Sequence, residues 1–266
     1  MPSIYDYPRL YDVLFSDTCT AEIRFIVSAV QRYCGKHSGR KQAEAIFEPA
    51  CGTGRLLWRL AKLGFNTAGL DLNPQAVAYC NARMKRHGLK ESAFCGDMTD
   101  FTLADLQRKK PFDAAYNFVS SFLHLTDDTQ ANKHLRAVAD VLKPDGIYIL
   151  GLHLKPAGES FCSEESWSVR RGRLSLHSKL KTLSRDSRKN IETVEFRIDA
   201  ATPKKRYSII DRFPLRTYSA KQFYRLIESV NYFRIVETYS FDYDIERPVK
   251  VDDQTEDTLF VLRKKE

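Results

Sequence analysis

The chain has 266 residues, 43% of them hydrophobic and 12% aromatic, enough for a full core and far from a disordered composition. No apolar run approaches the roughly 20 residues that span a bilayer. The stretch Met1–Pro8 has neither the basic opening nor the apolar run of a signal peptide, so no membrane partner is expected and cytoplasm is the expected compartment. The formal charge of +8 is concentrated in one stretch: Arg170, Arg171, Arg173, Lys179, Lys181, Arg185, Arg188 and Lys189 stand against Asp186. Two readings are open for it, attraction of an anionic substrate or nucleic acid, or a solvated strand face with its turn. Cys19, Cys34, Cys51, Cys80, Cys95 and Cys162 form no short pair, so reduced thiols are expected and no metal site.

In chain order, Ile4–Phe15 and Thr20–Tyr33 have helical spacing, with Ile23, Ile26, Val27 and Val30 on one face of the second. A polar loop, Gly35–Gln42, follows. Then strands and helices alternate: strand Ala45–Glu48, helix Thr53–Leu63, strand Thr67–Asp71, and a helix opened by Asn73 as N-cap and Pro74 at its first position. Ser92–Cys95 and Phe112–Phe118 read as strands, Asp128–Leu142 as a helix, Lys143–Gly146 as a turn and Ile147–Leu152 as a fifth strand. Strict alternation predicts an α/β fold with a parallel sheet covered on both faces. Ser166–Arg216 breaks the pattern with β-branched runs such as Leu174–Leu180, Ile191–Ile198 and Arg206–Phe213, expected as antiparallel strands inserted into the chain. Helix returns over Ser219–Val230, capped by Ser219, and Phe233–Phe241 and Thr258–Leu262 read as the last strands.

The chemistry gathers where strands end. In Pro49-Ala50-Cys51-Gly52-Thr53-Gly54, between a strand and a helix, Gly52 and Gly54 permit a tight turn and close approach of backbone to a ligand. A dinucleotide fingerprint would place a third glycine where this chain has Leu57. Glu48 beside the turn repels phosphate and suits a ligand bearing an ammonium or sulfonium group, as S-adenosyl-L-methionine (SAM) does. Asp71, ending the second strand, can accept both ribose hydroxyls. Asp97, ending the third, can accept an adenine amino group while Met98 flanks the ring. Three acids ending successive parallel strands lie on the carboxyl edge where open α/β sheets bind ligands.

The ordered segments Glu-Pro-Ala-Cys-Gly-Thr-Gly (48–54), Gly-Leu-Asp-Leu-Asn (69–73), Gly-Asp-Met (96–98), Phe-Asp-x-x-x-Asn (112–117) and Leu-Lys-Pro-Asp-Gly (142–146) resemble the motifs of class I SAM-dependent methyltransferases. The resemblance covers about residues 5–155 and, more loosely, the last helix and two strands. It implies a Rossmann-like seven-stranded, mostly parallel sheet with its last strand antiparallel, here with an inserted antiparallel β lobe. The whole then reads as one domain, with an N-terminal helical cap over about 1–42 and the lobe over about 160–216. It implies SAM as cofactor, with S-adenosyl-L-homocysteine (SAH) as product. Carried over residue by residue, Glu48, Ala50, Gly52 and Gly54 would hold the methionine part, Asp71 and Leu72 the ribose, and Asp97 and Met98 the adenine, with Thr53 of the same turn also in the cofactor site. Asn117 would face the methyl group.

The segment Asn117–Leu125 is similar to a subgroup acting on small molecules, including aminosugar N-methyltransferases, in which the histidine of Ser-Ser-x-x-His lies by the acceptor amine. His124 occupies that place, either as the base that takes the acceptor's proton or as a packing residue beneath the next helix. Tyr11 matches the tyrosine of the subgroup's Leu-Tyr-Asp element and could bond the SAM carboxylate. The subgroup has a further tyrosine where this chain has Phe15, and Tyr5 and Tyr7 read as packing aromatics. The expected partner is a small-molecule acceptor methylated on N or O. Nucleic acid or protein is the alternative acceptor, and nucleic acid is not favoured because the fourth strand lacks the Asn/Asp-Pro-Pro-aromatic run that holds a flipped base. A SAM-binding protein without catalysis and a dehydrogenase are the competing classes. The inserted strands would serve as a lid or a homodimer surface, with Arg170, Arg171 and Arg173 greeting an anionic group on the substrate.

Overall fold

The computed structural model describes residues 3–15, 19–34, 45–118, 120–156, 158 and 163–266. The loop expected over Gly35–Gln42 and Cys162 lie outside the described residues. Seven strands form one sheet: β1 (Ala45–Pro49), β2 (Asn66–Asp71), β3 (Ala93–Cys95), β4 (Phe112–Asn117), β5 (Leu142–His153), β10 (Phe233–Tyr239) and β11 (Asp257–Lys264). Their order is β3-β2-β1-β4-β5-β11-β10, and β11 runs antiparallel to both of its neighbours. The other pairings are parallel. This is the expected sheet.

Helices cover both faces. Phe25, Ile26, Ala29 and Val30 of α2 (Cys19–Cys34), with Leu60 of α3 (Leu57–Lys62), pack on Ile46, Tyr116, Ile147, Ile149 and Val261. On the other face, Leu135, Val138 and Val141 of α5 (Asp128–Val141) and Phe223, Leu226 and Ile227 of α6 (Ala220–Val230) pack on Phe47, Tyr148, Leu150 and Phe260. Burial of these side chains contributes about 1.5–3 kcal/mol each and outweighs local propensity in fixing the layers. Between β2 and β3 lies α4 (Pro74–Arg86), whose N-cap Asn73 accepts from the amides of Gln75 and Ala76. Ser219 and Gln222 close a capping box at the start of α6.

Outside the inserted strands, three elements depart from expectation by more than one or two residues at a boundary, each for a local reason. The helix expected over Ile4–Phe15 is a 3₁₀ turn, Ile4–Asp6, followed by α1 (Pro8–Leu14). Tyr7 precedes a proline, where the pyrrolidine ring excludes helical backbone, and sits at φ −119°, ψ 62°. The helix expected from Thr53 starts only at Leu57, because Gly54 at φ +65° lies in the left-handed region. The turn Lys143–Gly146 becomes part of β5, which starts at Leu142 and carries a register shift with Asp145 at φ +60°.

The inserted strands form a second sheet, β6 (Glu164–Arg171), β7 (Leu174–Asp186), β8 (Ile191–Ala201) and β9 (Arg206–Arg216), antiparallel throughout. The chain leaves and returns side by side, for Lys155 N–H donates to the Tyr218 carbonyl at 2.8 Å. Leu176, Phe196, Ile198, Ala200 and Ile209 of this sheet bury against Ile4, Leu10, Val13 and Leu14. The lobe therefore grips the N-terminal segment. Part of its basic stretch is paired: Lys179 with Glu164 at 2.7 Å and Arg185 with Glu192 within the lobe, and Arg171 with Asp12 of α1, while the Arg188 and Lys189 backbone amides donate to Asp186 in the β7–β8 turn. Among the described residues, no helix is long and apolar enough to cross a membrane.

Candidate active site

The sheet's strand order reverses between β1 and β4, and there the ends of adjacent strands splay apart into a crevice. A cavity of about 630 Å³ occupies it, lined by the turns after β1, β2, β3 and β4 and by the N-terminal segment. That is the size of a site for one small organic ligand.

The turn after β1 is held in an uncommon backbone form. Ala50, Gly52 and Gly54 have φ of 55°, 51° and 65°. Gly52 faces the cavity; a Cβ there would meet only Asp71 Oδ2, at 4.0 Å. Gly54 serves differently, since a Cβ there would lie 2.2 Å from the Cys80 Sγ of α4. It is absent from the cavity lining, and its smallness serves turn-to-helix packing. Thr53 is buried, lines the cavity, and its carbonyl accepts from Arg83 Nη1 at 3.3 Å.

Glu48 ends β1 at the cavity floor, 7% exposed, and accepts from the Tyr116 hydroxyl at 2.6 Å. Burial pushes its pKa up to about 8, against the opposing pull of the Tyr116 hydrogen bond and the Arg55 charge. A cation beside it would restore the ionised form. Arg55, the only arginine or lysine of the described cavity lining, is itself committed to Glu22, with Nη2 donating to Oε1 at 2.6 Å.

Asp71 accepts the Gly52 amide at 2.7 Å and the Asn73 amide at 2.9 Å, which ties the ends of β1 and β2 together. Burial raises its pKa while those two amides hold it down. Leu72 next to it lines the cavity yet is 72% exposed, an apolar platform awaiting a cover. Asp97 accepts the Thr99 amide and hydroxyl on Oδ1, and its Oδ2 has no hydrogen bond among the described residues. Met98 lines the cavity beside it, with its carbonyl held by His134 Nδ1 at 2.9 Å.

The N-terminal segment roofs the cavity. Ser3, Tyr5, Asp6, Pro8 and Tyr11 line it, and Asn73 donates to Asp6 at 3.2 Å. Asp12 anchors α1 to α4 and to the lobe, through Arg83 at 2.5 Å and Arg171 at 3.2 Å. The Tyr11 ring lies between Tyr5 and Phe15, and burial pushes its pKa up to about 12. His124 closes the 3₁₀ turn Ser121–His124 after β4; its Nε2 and the Tyr5 hydroxyl are 3.0 Å apart. Burial lowers the His124 pKa, and Asp211 opposes that shift. The ring is therefore neutral near physiological pH.

Of the residues named from sequence, Tyr11, Glu48, Ala50, Gly52, Thr53, Asp71, Leu72, Asp97, Met98 and His124 meet around one cavity. Asn117 does not. Its Nδ2 donates to the Pro49 carbonyl at 2.8 Å, satisfying an acceptor left unpaired where β1 and β4 diverge, and the side chain is 1% exposed. Arg170, Arg171 and Arg173 lie at the β6–β7 hairpin and do not line the cavity. Tyr5, read as a packing aromatic, lines it. Tyr116, His134 and Asp211 were also missed, because their partners lie 68, 36 and 207 residues away and no local spacing marks them.

The side chains present fit a ligand that is cationic at one end, has two vicinal hydroxyls, and ends in a flat ring with an exocyclic amine. Four acids, Asp6, Glu48, Asp71 and Asp97, line the cavity against one committed arginine, which disfavours a diphosphate. Leu57, where a dinucleotide site has glycine, is wholly buried, and a Cβ on Gly69 would meet it at 2.9 Å.

Residues 46–146 match the model of a methyltransferase domain family. A putative methyltransferase of Geobacillus sp. (strain WCH70) is 30% identical over 118 residues, 44% of this chain and 46% of that protein. The dTDP-3-amino-3,4,6-trideoxy-alpha-D-glucopyranose N,N-dimethyltransferase of Streptomyces venezuelae is 28% identical over 148 residues, 54% of this chain and 56% of that one. The chain thus spans about half the length of the curated relatives it matches. An S-adenosylmethionine-dependent methyltransferase from Clostridium acetobutylicum superposes with a TM-score of 0.77 at 16% identity, over 98% of both chains. Residues 46–146 thus match a methyltransferase domain model, in a chain with the same fold as the Clostridium acetobutylicum enzyme.

Proposed function

We propose that this chain transfers a methyl group from SAM to an amine nitrogen of a small-molecule acceptor and releases SAH. The observation that carries the reading is the cavity lining: acids at the ends of β1, β2 and β3, an exposed Leu72 platform, and a neutral histidine at the far wall. Glu48 would face the cationic methionine end, Asp71 the ribose hydroxyls, Leu72 and Met98 the adenine faces, and Asp97 Oδ2 the adenine amine. Bound SAM supplies an electrophilic methyl carbon whose leaving group needs no acid.

The chain's own work is alignment, exclusion of water and removal of a proton. The N-terminal roof excludes water, and the acidic lining concentrates cations, whether cofactor or ammonium acceptor. His124, neutral at physiological pH, can receive the proton that an ammonium must lose before its nitrogen is nucleophilic. The Streptomyces venezuelae relative's printed substrate, an aminosugar, supports nitrogen as the methylated atom. A nucleotide-linked acceptor would have to keep its diphosphate outside this acidic cavity.

The test is calorimetric titration with SAH, followed by SAH release across a panel of primary and secondary amines, alcohols and RNA. Micromolar SAH binding and turnover confined to amines is the expected result. Absence of SAH binding would sink the reading, and SAH binding without turnover on any acceptor would favour a SAM-binding protein.

A further inference from the structure

Resting on the methyltransferase reading, we propose that Tyr5 is the residue that contacts the acceptor nitrogen, passing its proton to His124, so that His124 acts through Tyr5. The neutral imidazole has one lone pair, in the ring plane at the unprotonated nitrogen. At His124 Nε2 that direction is taken by the Tyr5 hydroxyl, at 3.0 Å. Phe213 lies against the ring, with centroids 5.2 Å apart, and shields it. A proton leaving the acceptor cannot reach Nε2 without displacing the hydroxyl. It reaches it through the hydroxyl.

The placement of Tyr5 is built. Ser3 and Asp6 close a capping box around the 3₁₀ turn that carries it. Asp211 of β9 accepts from the Ser3 hydroxyl at 2.6 Å and from the Ile4 amide at 3.0 Å, which clamps the turn to the lobe. The charged and titratable groups facing the pair are Asp211 from the lobe, Tyr11 from α1 and Asp71 from β2. Burial first, and then Tyr11 and the two acids, disfavour a tyrosinate, so the hydroxyl ends each transfer neutral. The same Asp211 charge stabilises an imidazolium.

The steps balance. An acceptor R–NH₃⁺ gives a proton to Tyr5 Oη as the Tyr5 O–H proton passes to His124 Nε2. The freed nitrogen lone pair forms the N–C bond, and the pair of the breaking C–S bond stays on sulfur. Tyrosine remains neutral, and the imidazolium loses its proton to solvent between turnovers. An acceptor that arrives as an ammonium ion needs this path, whereas one that arrives neutral does not.

The experiment is ¹⁵N-histidine NMR on the full chain, free and with SAH, from pH 6 to 9, for wild type and Tyr5→Phe. The expected His124 is neutral, protonated on Nδ1, with Nε2 hydrogen-bonded in wild type and free in the variant. A wild-type His124 carrying its proton on Nε2, or an Nε2 signal unmoved by Tyr5→Phe, overturns the proposal. A kinetic arm uses 3-amino-3-deoxyglucose as acceptor probe. There Tyr5→Phe is expected to lower kcat on the order of 100-fold below the probe's amine pKa, with KM for SAM unchanged, and adding His124→Ala should cost little more. Equal turnover of variant and wild type on that probe also overturns it. Failure of SAH to bind would count against the methyltransferase reading, while the free protein's tautomer still decides this one.

Discussion

Single side chains at the cavity floor set the charge state that a ligand meets. Glu48 is protonated in the folded chain up to about pH 8. The folded state therefore holds a proton that an unfolded glutamate, with its ordinary value of 4.5, has already lost, and stability attributable to Glu48 falls as pH rises between 4.5 and about 8. A cationic ligand reverses this by favouring the carboxylate. SAM affinity is thus expected to rise by up to about tenfold per pH unit between about pH 6 and 8 and to level above that. Calorimetry in buffers of different ionisation enthalpy should show proton release on binding, and Glu48→Gln should abolish both slope and release. Asp71 organises the Gly52 and Asn73 amides, and under the proposed function it would also face the ribose. Asp71→Ala is expected to weaken SAH binding by about 30-fold, the equivalent of about 2 kcal/mol of hydrogen bonding to a charged group; unchanged affinity would refute the ribose assignment.

Elements meet at contacts that tolerate little. Gly54 combines a left-handed φ with a steric limit from Cys80. Gly54→Ala should destabilise the chain by about 2–4 kcal/mol in denaturant titrations, the sum of overpacking and backbone strain. Adding Cys80→Ala should recover the overpacking part and leave about 1–2 kcal/mol of strain. His134 on α5 joins three elements from a fully buried position: Nδ1 donates to the Met98 carbonyl, Nε2 accepts from the Tyr148 hydroxyl of β5 at 2.8 Å, and its ring edge meets Phe122 in the turn that ends at His124. Burial lowers its pKa to about 4, so this bonding holds across the physiological range. His134→Gln places its amide toward Tyr148 and loses the Met98 bond, so SAH binding should weaken about fivefold, about 1 kcal/mol. His134→Asn keeps a donor where Nδ1 was and should restore affinity, with thermal midpoints alike in the two variants.

At the scale of the whole molecule, the lobe acts on the site at second hand. Its apolar face holds α1 and the 3₁₀ turn, and those residues roof the cavity. Asp211→Asn weakens the clamp on Ser3 and Ile4. Hydrogen exchange at the Ile4 amide should then speed up about fivefold or more, and SAH should dissociate faster, while exchange in β4 and β5 stays as in wild type. Equal exchange in both proteins would show that the apolar packing alone keeps the roof in place.

The α/β class, the parallel strands and the glycine turn after β1 were legible in the residues because each depends on nearby spacing: alternating apolar runs, Gly52 and Gly54 after a strand, acids at the ends of β1, β2 and β3. Capping by Asn73 and Ser219 was legible for the same reason. Where a side chain's partner is distant in sequence, the residue type alone did not reveal that partner. Asn117 answers a carbonyl exposed by the divergence of two strands, Gly54 answers a thiol on α4, and the arginines of the β6–β7 hairpin sit away from the cavity. Tyr5 became a cavity residue only because the inserted sheet folds back over the N-terminal segment and presses its hydroxyl onto His124. Sequence by itself determined the sheet and the ends of its strands, because hydrophobic periodicity and turn chemistry act over a few residues. The tertiary structure alone decided which residues wall the cavity around His124, because that wall joins the chain's N-terminal segment, the turn after β4 and the lobe through contacts that no local pattern encodes.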